Sequence, residues 1–367
     1  MELIQQEILE QPALIRRRAA ASPAVWPTAA GQVLVTGCGD SLAAAELCAA
    51  LYAGRKLVAV PAMEASERAR SLHPDNALIG ISVSGRTPRV IEAVSRAHAG
   101  GAVTIAVTDD PSSELAERAD VTWSIDASPT ESLQSSSYEG PDAAQYVGYQ
   151  RDVAQTKTFL GAVLAIARAA EGRGGATDWD RLAATVEELA GESFVEPLRA
   201  RAADWAEAGQ GFFLAVGSAL PIARFAAYKM FELNRPAHWT DLEEYAHTQY
   251  FITRPGDALV VLVHDAASAA RAAEIVPVLD ELFDARCVIV RTSDVEPAWP
   301  KADDDVVVPA GGSALERHVA LILAVQWVAY LWGRIGAPNI DTFHAGYDTE
   351  RLVAASLRTI RRSRIRP

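Results

Sequence analysis

The stretch Ser82-Val83-Ser84-Gly85-Arg86-Thr87 places three hydroxyls and a glycine between an apolar run and a helical pattern. The run reads Ala77-Leu78-Ile79-Gly80-Ile81, and the pattern continues through Val90-Ile91-Glu92-Ala93-Val94. A helix that begins here presents backbone N–H groups with no intrahelical acceptor, and its dipole favours an anion. With hydroxyls as further donors, such a junction suits capture of a phosphate monoester. The same residues would also make an ordinary Ser/Thr-capped turn. A second junction, Gly37-Cys38-Gly39-Asp40-Ser41, follows the run Gln32-Val33-Leu34-Val35-Thr36. Gly-x-Gly after a strand opens a dinucleotide fingerprint, but Ala43-Ala44 stands in the region of the third glycine, so the signal is weak. A sugar phosphate accounts for the glycines too, because they let a ligand approach the backbone closely.

The elements that must position these turns are legible from short β-branched runs alternating with Ala-rich helical patterns. Strands are predicted over residues 32–36, 56–60, 78–82, 103–108 and 121–125, with a helix over 41–52. This alternation implies βαβ units and a parallel sheet. A Gly-rich linker, Glu171-Gly172-Arg173-Gly174-Gly175, follows among long helical stretches. The pattern then starts again. Gly211 to Ser218 mirrors the first strand and its turn, Ala258 to Val263 mirrors the strand before Ser82, and Arg286 to Arg291 mirrors the 103–108 strand. Where the first copy has its hydroxyl-rich turn, the second has His264-Asp265-Ala266-Ala267-Ser268, in which an aspartate and two alanines would hold phosphate poorly. One phosphate site per chain is therefore expected.

Composition narrows the classes. A chain of 367 residues, half of them hydrophobic, is long enough for two domains. A formal charge of −13 opposes binding to nucleic acid or an anionic membrane. No membrane span or N-terminal signal peptide is expected. Cys38, Cys48 and Cys287 lie far apart without metal-ligand spacing, as in a reduced, cytoplasmic protein.

Gly37-Cys38-Gly39-Asp40-Ser41, Glu64-Ala65-Ser66-Glu67 and Ser82-x-Ser84-Gly85-x-Thr87 resemble, in order and spacing, the sugar isomerase (SIS) domain. Tandem copies behind Glu7-Ile8-Leu9-Glu10-Gln11-Pro12 look like the isomerase half of glucosamine-6-phosphate synthase, an architecture shared with amino-sugar-phosphate deaminases and fructosamine-6-phosphate deglycases. The resemblance implies an α/β fold of two tandem SIS domains, each a flavodoxin-like, doubly wound parallel sheet flanked by helices. The expected divisions are an N-terminal helix (1–25), a first domain with the phosphate turn (26–175), a second with the catalytic residues (195–345) and a tail (346–367).

Carried onto this sequence, the resemblance gives Ser82, Ser84, Gly85 and Thr87 to the phosphate, and Gly39 and Ser41 to the sugar. Val153-Ala154-Gln155-Thr156-Lys157 falls where the synthase family has Val-Ala-Ser-Thr-Lys, so Val153 and Gln155 join the binding set, with Gln155 replacing a serine. Gln150 stands where the family has a glutamate, and an amide cannot act as a base. The helix Tyr228-Lys229-Met230-Phe231-Glu232-Leu233 aligns the family's catalytic glutamate with Glu232. A carboxylate there would take a proton from C1 or C2 and return it to the other carbon. Burial beside Met230, Phe231 and Leu233 would raise its pKa toward the working pH, whereas a surface ion pair with Lys229 would contribute little.

Asp241 to His247 ends where the family places a ring-opening histidine, followed here by Thr248-Gln249 instead of Gly-Pro. His238 is a competitor for His247, and Glu243 and Glu244 are candidates to orient it. In the family this histidine often reaches a neighbouring subunit's site, which implies a homodimer. No lysine follows Lys301 to match the synthase's C-terminal lysine; Asn339-Ile340-Asp341, His344 and Arg351 lie near that place, and the Arg-rich end resembles a solvated tail. No cysteine nucleophile precedes Ile8, so a self-contained glutamine-dependent synthase is not expected.

The function implied is C1–C2 proton transfer on a hexose or hexosamine 6-phosphate, giving isomerisation or deamination, with no metal or organic cofactor. Deglycation and ammonia-dependent amination are alternatives within the same chemistry. A non-catalytic phosphosugar sensor is the alternative from another class.

Overall fold

The protein, described as a computed structural model over residues 1–27, 31–127, 154–341 and 343–346 with 351, 355, 358 and 359, divides into two compact units. The N-terminal unit comprises Ala13–Ala176 with Asp348–Pro367, and the C-terminal unit Met1–Pro12 with Thr177–Tyr347.

In the N-terminal unit, β1 (Val33–Gly37), β2 (Leu57–Pro61), β3 (Ala77–Ile81), β4 (Val103–Thr108) and β5 (Val121–Ser124) form a parallel sheet in the order β2-β1-β3-β4-β5. The inner strands β1 and β3 are buried along their whole length, which is why they do not alternate; the one polar residue, Thr36, donates its hydroxyl to Val60 O at 2.7 Å. On one face α4 (Ala62–Arg68) and α5 (Pro88–Ala99) close a core of Leu34, Leu78, Ala106, Val90, Val94 and Leu115. On the other, α3 (Asp40–Leu51) packs against α7 (Lys157–Glu171), whose Phe159, Leu160, Val163 and Leu164 are buried. The predicted strands and the helix after Gly39 are shifted by no more than about a residue. Gly172–Gly174 of the expected linker is a short 3-10 turn at the end of α7.

The C-terminal unit repeats the plan. Its strands β6 (Gly211–Ala215), β7 (Ala237–Asp241), β8 (Ala258–Val263), β9 (Arg286–Thr292) and β10 (Val306–Val308) are parallel in the order β10-β9-β8-β6-β7. β6 occupies the place of β1, β7 that of β2 and β8 that of β3. The strands β7 and β10 go beyond the repeat predicted from sequence. Three of β7's inner residues, His238, Trp239 and Thr240, are only half-buried, and β10 has three residues, so neither edge strand carries a long apolar run.

Helices α11 (Leu242–His247) and α12 (Ala266–Phe283) cover one face of that sheet, with Phe212, Leu214, Val261, Tyr245, Ile275 and Leu279 in the core. On the other lie α10 (Leu220–Glu232) and α13 (Ala314–Gly333). Helix α13 is 20 residues long and apolar enough to cross a membrane by length and composition alone, but nearly all of it is buried within the protein. It is read as a core helix. The first helix of the chain, α1 (Leu3–Leu9), packs on it: the Tyr330 hydroxyl donates to Glu2, and Gln11 Nε2 donates to Gln326 Oε1 at 2.7 Å. Asp341 Oδ1 accepts from the backbone N–H of Leu3 at 2.7 Å.

At the start of α13, Glu316 is nearly fully buried and accepts from Arg181 Nε (2.6 Å) and Nη2 (2.9 Å) and from the backbone N–H groups of Gly312 and Asp178 (3.2 Å each). Those bonds tie α13 to the start of α8 (Trp179–Leu189). Glu316→Ala should lower unfolding stability by about 2 kcal/mol, because two backbone donors lose their acceptor. Chemical denaturation of the two proteins side by side measures it.

Candidate functional site

The hydroxyl-rich turn leaves the C-terminal end of β3 and enters α5. Ser82 N–H donates to Val107 O (3.0 Å), Gly85 N–H to Ser82 O (2.9 Å), and the Thr108 hydroxyl to Val83 O (3.0 Å). Gly85 has φ of +61°, and a Cβ there would lie 1.9 Å from Ser113 Oγ, so the position requires glycine twice over. Thr87 is the N-cap residue of α5, yet its side chain makes no hydrogen bond to the helix. Its Oγ1 instead lies 2.9 Å from Ser82 Oγ. Pro88, at the first helical position, has no N–H to satisfy. The turn therefore gathers Ser82, Ser84 and Thr87 at a helix start that no side chain of its own caps. Arg86, inside the turn, is half-exposed and reaches within 3.7 Å of Asp110.

Beside it in the same sheet, Gly39 caps α3 with φ of +57°, and nothing lies within 4 Å of where its Cβ would be. Ser41 follows, half-buried in the first turn. Strands β1 and β3, which carry these two turns, are neighbours from which the sheet order runs in opposite directions, and the crevice beyond their carboxyl ends is where such sheets bind ligands. Gln155 precedes α7 and accepts from the Thr158 hydroxyl at 3.2 Å. Val153 and Gln150 lie outside the described residues.

The equivalent crevice of the C-terminal unit is built differently. Asp265 caps α12: its Oδ1 accepts from Ser268 N–H at 2.8 Å in a full capping box. A carboxylate thus already occupies the place an anion would take. Across the crevice, Gly217 has φ of +58° like Gly39, and Ser218 Oγ lies 2.8 Å from His318 Nε2 and 3.2 Å from His264 Nε2. Both imidazoles are buried.

Glu232 is the last residue of α10. Its side chain is 42% exposed, so the expected burial is not found. Met230 and Leu233 are buried but point into the core, and Phe231 is itself 44% exposed. The carboxylate is held at 2.6 Å by Nζ of Lys229, a fully buried lysine whose charge also offsets the unfavourable helix C-terminus. His247 ends α11 with its side chain 68% exposed, and its Nε2 meets Glu243 Oε1 at 3.1 Å. Glu243 is fixed from its other side by Arg271 Nε at 2.7 Å. Of the two candidate orienting carboxylates, Glu243 is thus the one that touches the ring.

His238 stacks on Phe212 with centroids 4.9 Å apart and meets Gln210 Oε1 through Nε2 at 2.9 Å. It is part of the β6–β7 packing, and burial holds its pKa below the ordinary value. Asp341, near the expected place of a C-terminal substrate residue, is engaged with the start of α1. A cleft of about 490 Å³ lies elsewhere in the C-terminal unit, but its Arg201, Arg286 and Lys301 each hold an aspartate or glutamate, which leaves no unspent charge for an anionic ligand.

Residues 28–142 match the SIS domain family. That stretch carries a SIS domain. The second sheet, of the same topology, repeats the fold in tandem. Over 91% of its length it resembles the C-terminal domain of glucosamine-fructose-6-phosphate aminotransferase from Francisella tularensis, at 17% identity, 96% coverage of that chain and a TM-score of 0.69. Tagatose-6-phosphate ketose/aldose isomerase from Escherichia coli has the same TM-score, at 16% identity over 95% of this chain and 96% of that one. In sequence, 57 residues are 42% identical to an N-acetylmuramic acid 6-phosphate etherase of Symbiobacterium thermophilum. That match spans 16% of this chain and 19% of the etherase.

Sequence reasoning named the Lys229–Glu232 ion pair, which the structure shows, but not the burial of its lysine, and it did not find the group formed by Ser218, His264 and His318. The group has a pH signature. Burial pushes His318 down to about 4 from an ordinary 6.5, against its bond to Ala314 O, with His264 and Arg317 lowering it further and Asp265 opposing. Between those values the unfolded chain binds a proton that the folded chain does not. Stability contributed by neutral His318 is therefore complete above pH 6.5, falls by about 3 kcal/mol as pH drops to 4, and changes no further below. Denaturant unfolding at pH 4, 5 and 7 should show this slope, and His318→Gln should remove most of it.

Proposed function

We propose that this SIS protein binds a phosphorylated hexose or hexosamine through the turn Ser82–Thr87 and moves a proton between the sugar's C1 and C2. The observation that carries the reading is the start of α5. Its N-cap threonine turns its hydroxyl to Ser82 and makes no bond to the helix, whereas the matching helix of the other unit is closed by its own Asp265. A phosphate monoester supplies what α5 lacks: negative charge, and acceptor oxygens for Ser82, Ser84, Thr87 and the backbone N–H groups of the first turn. Gly39 and Ser41 border the crevice where the sugar extends, with Gln155 and Val153 completing the binding set.

Glu232 is assigned as the base that takes the proton from one carbon, leaving an enediol or enolamine, and returns it to the other. Lys229 Nζ, 2.6 Å away, fixes where that carboxylate points. His247, with Glu243 on its ring, is assigned to ring opening, in which an imidazole passes a proton between the ring oxygen and the anomeric hydroxyl. Isomerisation needs nothing further; with an amino group at C2 the same intermediate leads to deamination. The likeness to a ketose/aldose isomerase and to an aminotransferase domain supports this chemistry without choosing between its outcomes. We also propose a homodimer, and a reducing, cytoplasmic setting consistent with three free cysteines. The part-exposed Glu232 favours one other reading, a phosphosugar sensor without turnover.

Two substitutions separate anchoring from chemistry. With a panel of hexose and hexosamine 6-phosphates in D2O, the wild-type protein should exchange the C1 or C2 proton in NMR spectra. Glu232→Gln should reduce exchange at least ~100-fold with a nearly unchanged dissociation constant. Thr87→Val should weaken binding by about 1–2 kcal/mol and leave unphosphorylated sugars unaffected. Binding without any exchange in the wild-type protein would establish the sensor instead.

A further inference from the structure

We propose that Ser218 is a nucleophile activated by His318, and that through it the C-terminal unit cleaves small, uncharged acyl esters. The hydrogen-bond roles follow from the geometry. His318 Nδ1 lies 2.7 Å from the carbonyl of Ala314 and can only donate to it, so its Nε2 carries the lone pair. Ser218 Oγ, 2.8 Å away, donates its single proton to that nitrogen. His264 Nε2, at 3.2 Å, must then be the donor to Ser218 Oγ. The serine oxygen sits between a base that takes its proton and an N–H that stabilises the charge it develops. A nucleophile bonded to a base, and a base oriented by a third group, is the arrangement that activates a hydroxyl.

The backbone supplies the rest. Ser218 stands on a strand–turn–helix junction, after β6 and two residues before α10, a thirteen-residue helix whose N-terminal dipole favours negative charge at Oγ. Gly217 is exposed, and nothing lies within 4 Å of the place its Cβ would take, so an electrophile can approach over it. The position is the ligand crevice of this sheet, at the carboxyl ends of β6 and β8. His264 is 5% exposed, and among the described residues its Nδ1 has no hydrogen-bond partner.

The substrate class follows from the surroundings. The two rings are buried and only the serine side is open, which limits the acyl group to a small one. Exposed Asp265, 3.6 Å from His264, repels anionic esters. Arg317, the nearby cation, is committed to Asp294 through both terminal nitrogens and to His264 O. In the first step the Oγ–acyl bond forms, the ester C–O bond breaks, and the serine proton passes through His318 Nε2 to the departing alcohol. Water, deprotonated by the same nitrogen, then releases the carboxylic acid and restores the serine.

The full chain treated with a fluorophosphonate probe should form one adduct, with loss of fluoride, mapped to Ser218 by peptide mass spectrometry. It should also hydrolyse p-nitrophenyl acetate through an acetyl group on the same residue. His318→Gln should slow labelling at least ~100-fold, the usual contribution of a general base. Ser218→Ala should abolish it, and Ser218→Cys should be alkylated faster than Cys38 should the alanine variant fold poorly. Absence of an adduct at Ser218 in the native protein, or a labelling rate unchanged by His318→Gln, overturns the proposal and leaves the three residues as a structural network.

Discussion

The N-terminal ends of α5 and α12 each face the same physical demand: backbone N–H groups in a first helical turn need acceptors, and the dipole adds a preference for negative charge. In α12 the chain meets the demand internally, with the Asp265 carboxylate locked to Ser268. In α5 it does not, because the cap residue Thr87 is drawn back to Ser82 by a tight turn that glycine alone can make at position 85. Two units of one topology therefore differ at the point where such sheets meet ligands. The assignment of phosphate to one of them, and of different chemistry to the other, depends on that contrast.

The constraint reaches into the packing behind the turn. Thr108 and the end of β4 hold Val83 in place, and the loop after β4 fills the space beneath Gly85 with Ser113. Helix α5 is in turn fixed from its flank: Glu92, almost fully buried, bridges Arg89 and Arg96, and Arg96 reaches Ser66 Oγ at 2.6 Å on α4. A buried carboxylate paired on both sides is destabilising to break and rigid while intact. Rigidity is what an anion site made of backbone donors requires, since its donors cannot adjust individually as side chains do.

The fold was largely legible because its inner strands are buried along their whole length and carry no charged residue. What the sequence hid is explained by particular residues. Neighbours in sequence do not surround a helical side chain: Met230 and Leu233 are buried while Glu232 between them is part-exposed, since successive residues on a helix point about 100° apart. The residue that does face Glu232 is Lys229, one turn back, and apolar composition gives no sign that this lysine is buried. Ser218 and His318 stand a hundred positions apart, and only the return of α13 across the sheet brings them together. Edge strands β7 and β10 escaped because a half-buried or three-residue strand has no periodicity to read.

Glu232 and Ser218 lie at opposite ends of the same helix, and their environments differ accordingly. At the start of α10 the dipole favours an oxyanion, and the neighbours of Ser218 are two imidazoles kept neutral by burial, so charge forms there only when a reaction creates it. At the end of α10 the dipole disfavours a carboxylate, and the Glu232 carboxylate lies 2.6 Å from the buried Nζ of Lys229. Removing Lys229 would therefore do more than delete a surface ion pair. It would take from Glu232, at the negative end of a helix dipole, the cation that fixes where its carboxylate points. The proton transfer proposed for Glu232 thus rests on the placement given by a buried lysine one turn back, which makes Lys229 a positioning residue in that proposal.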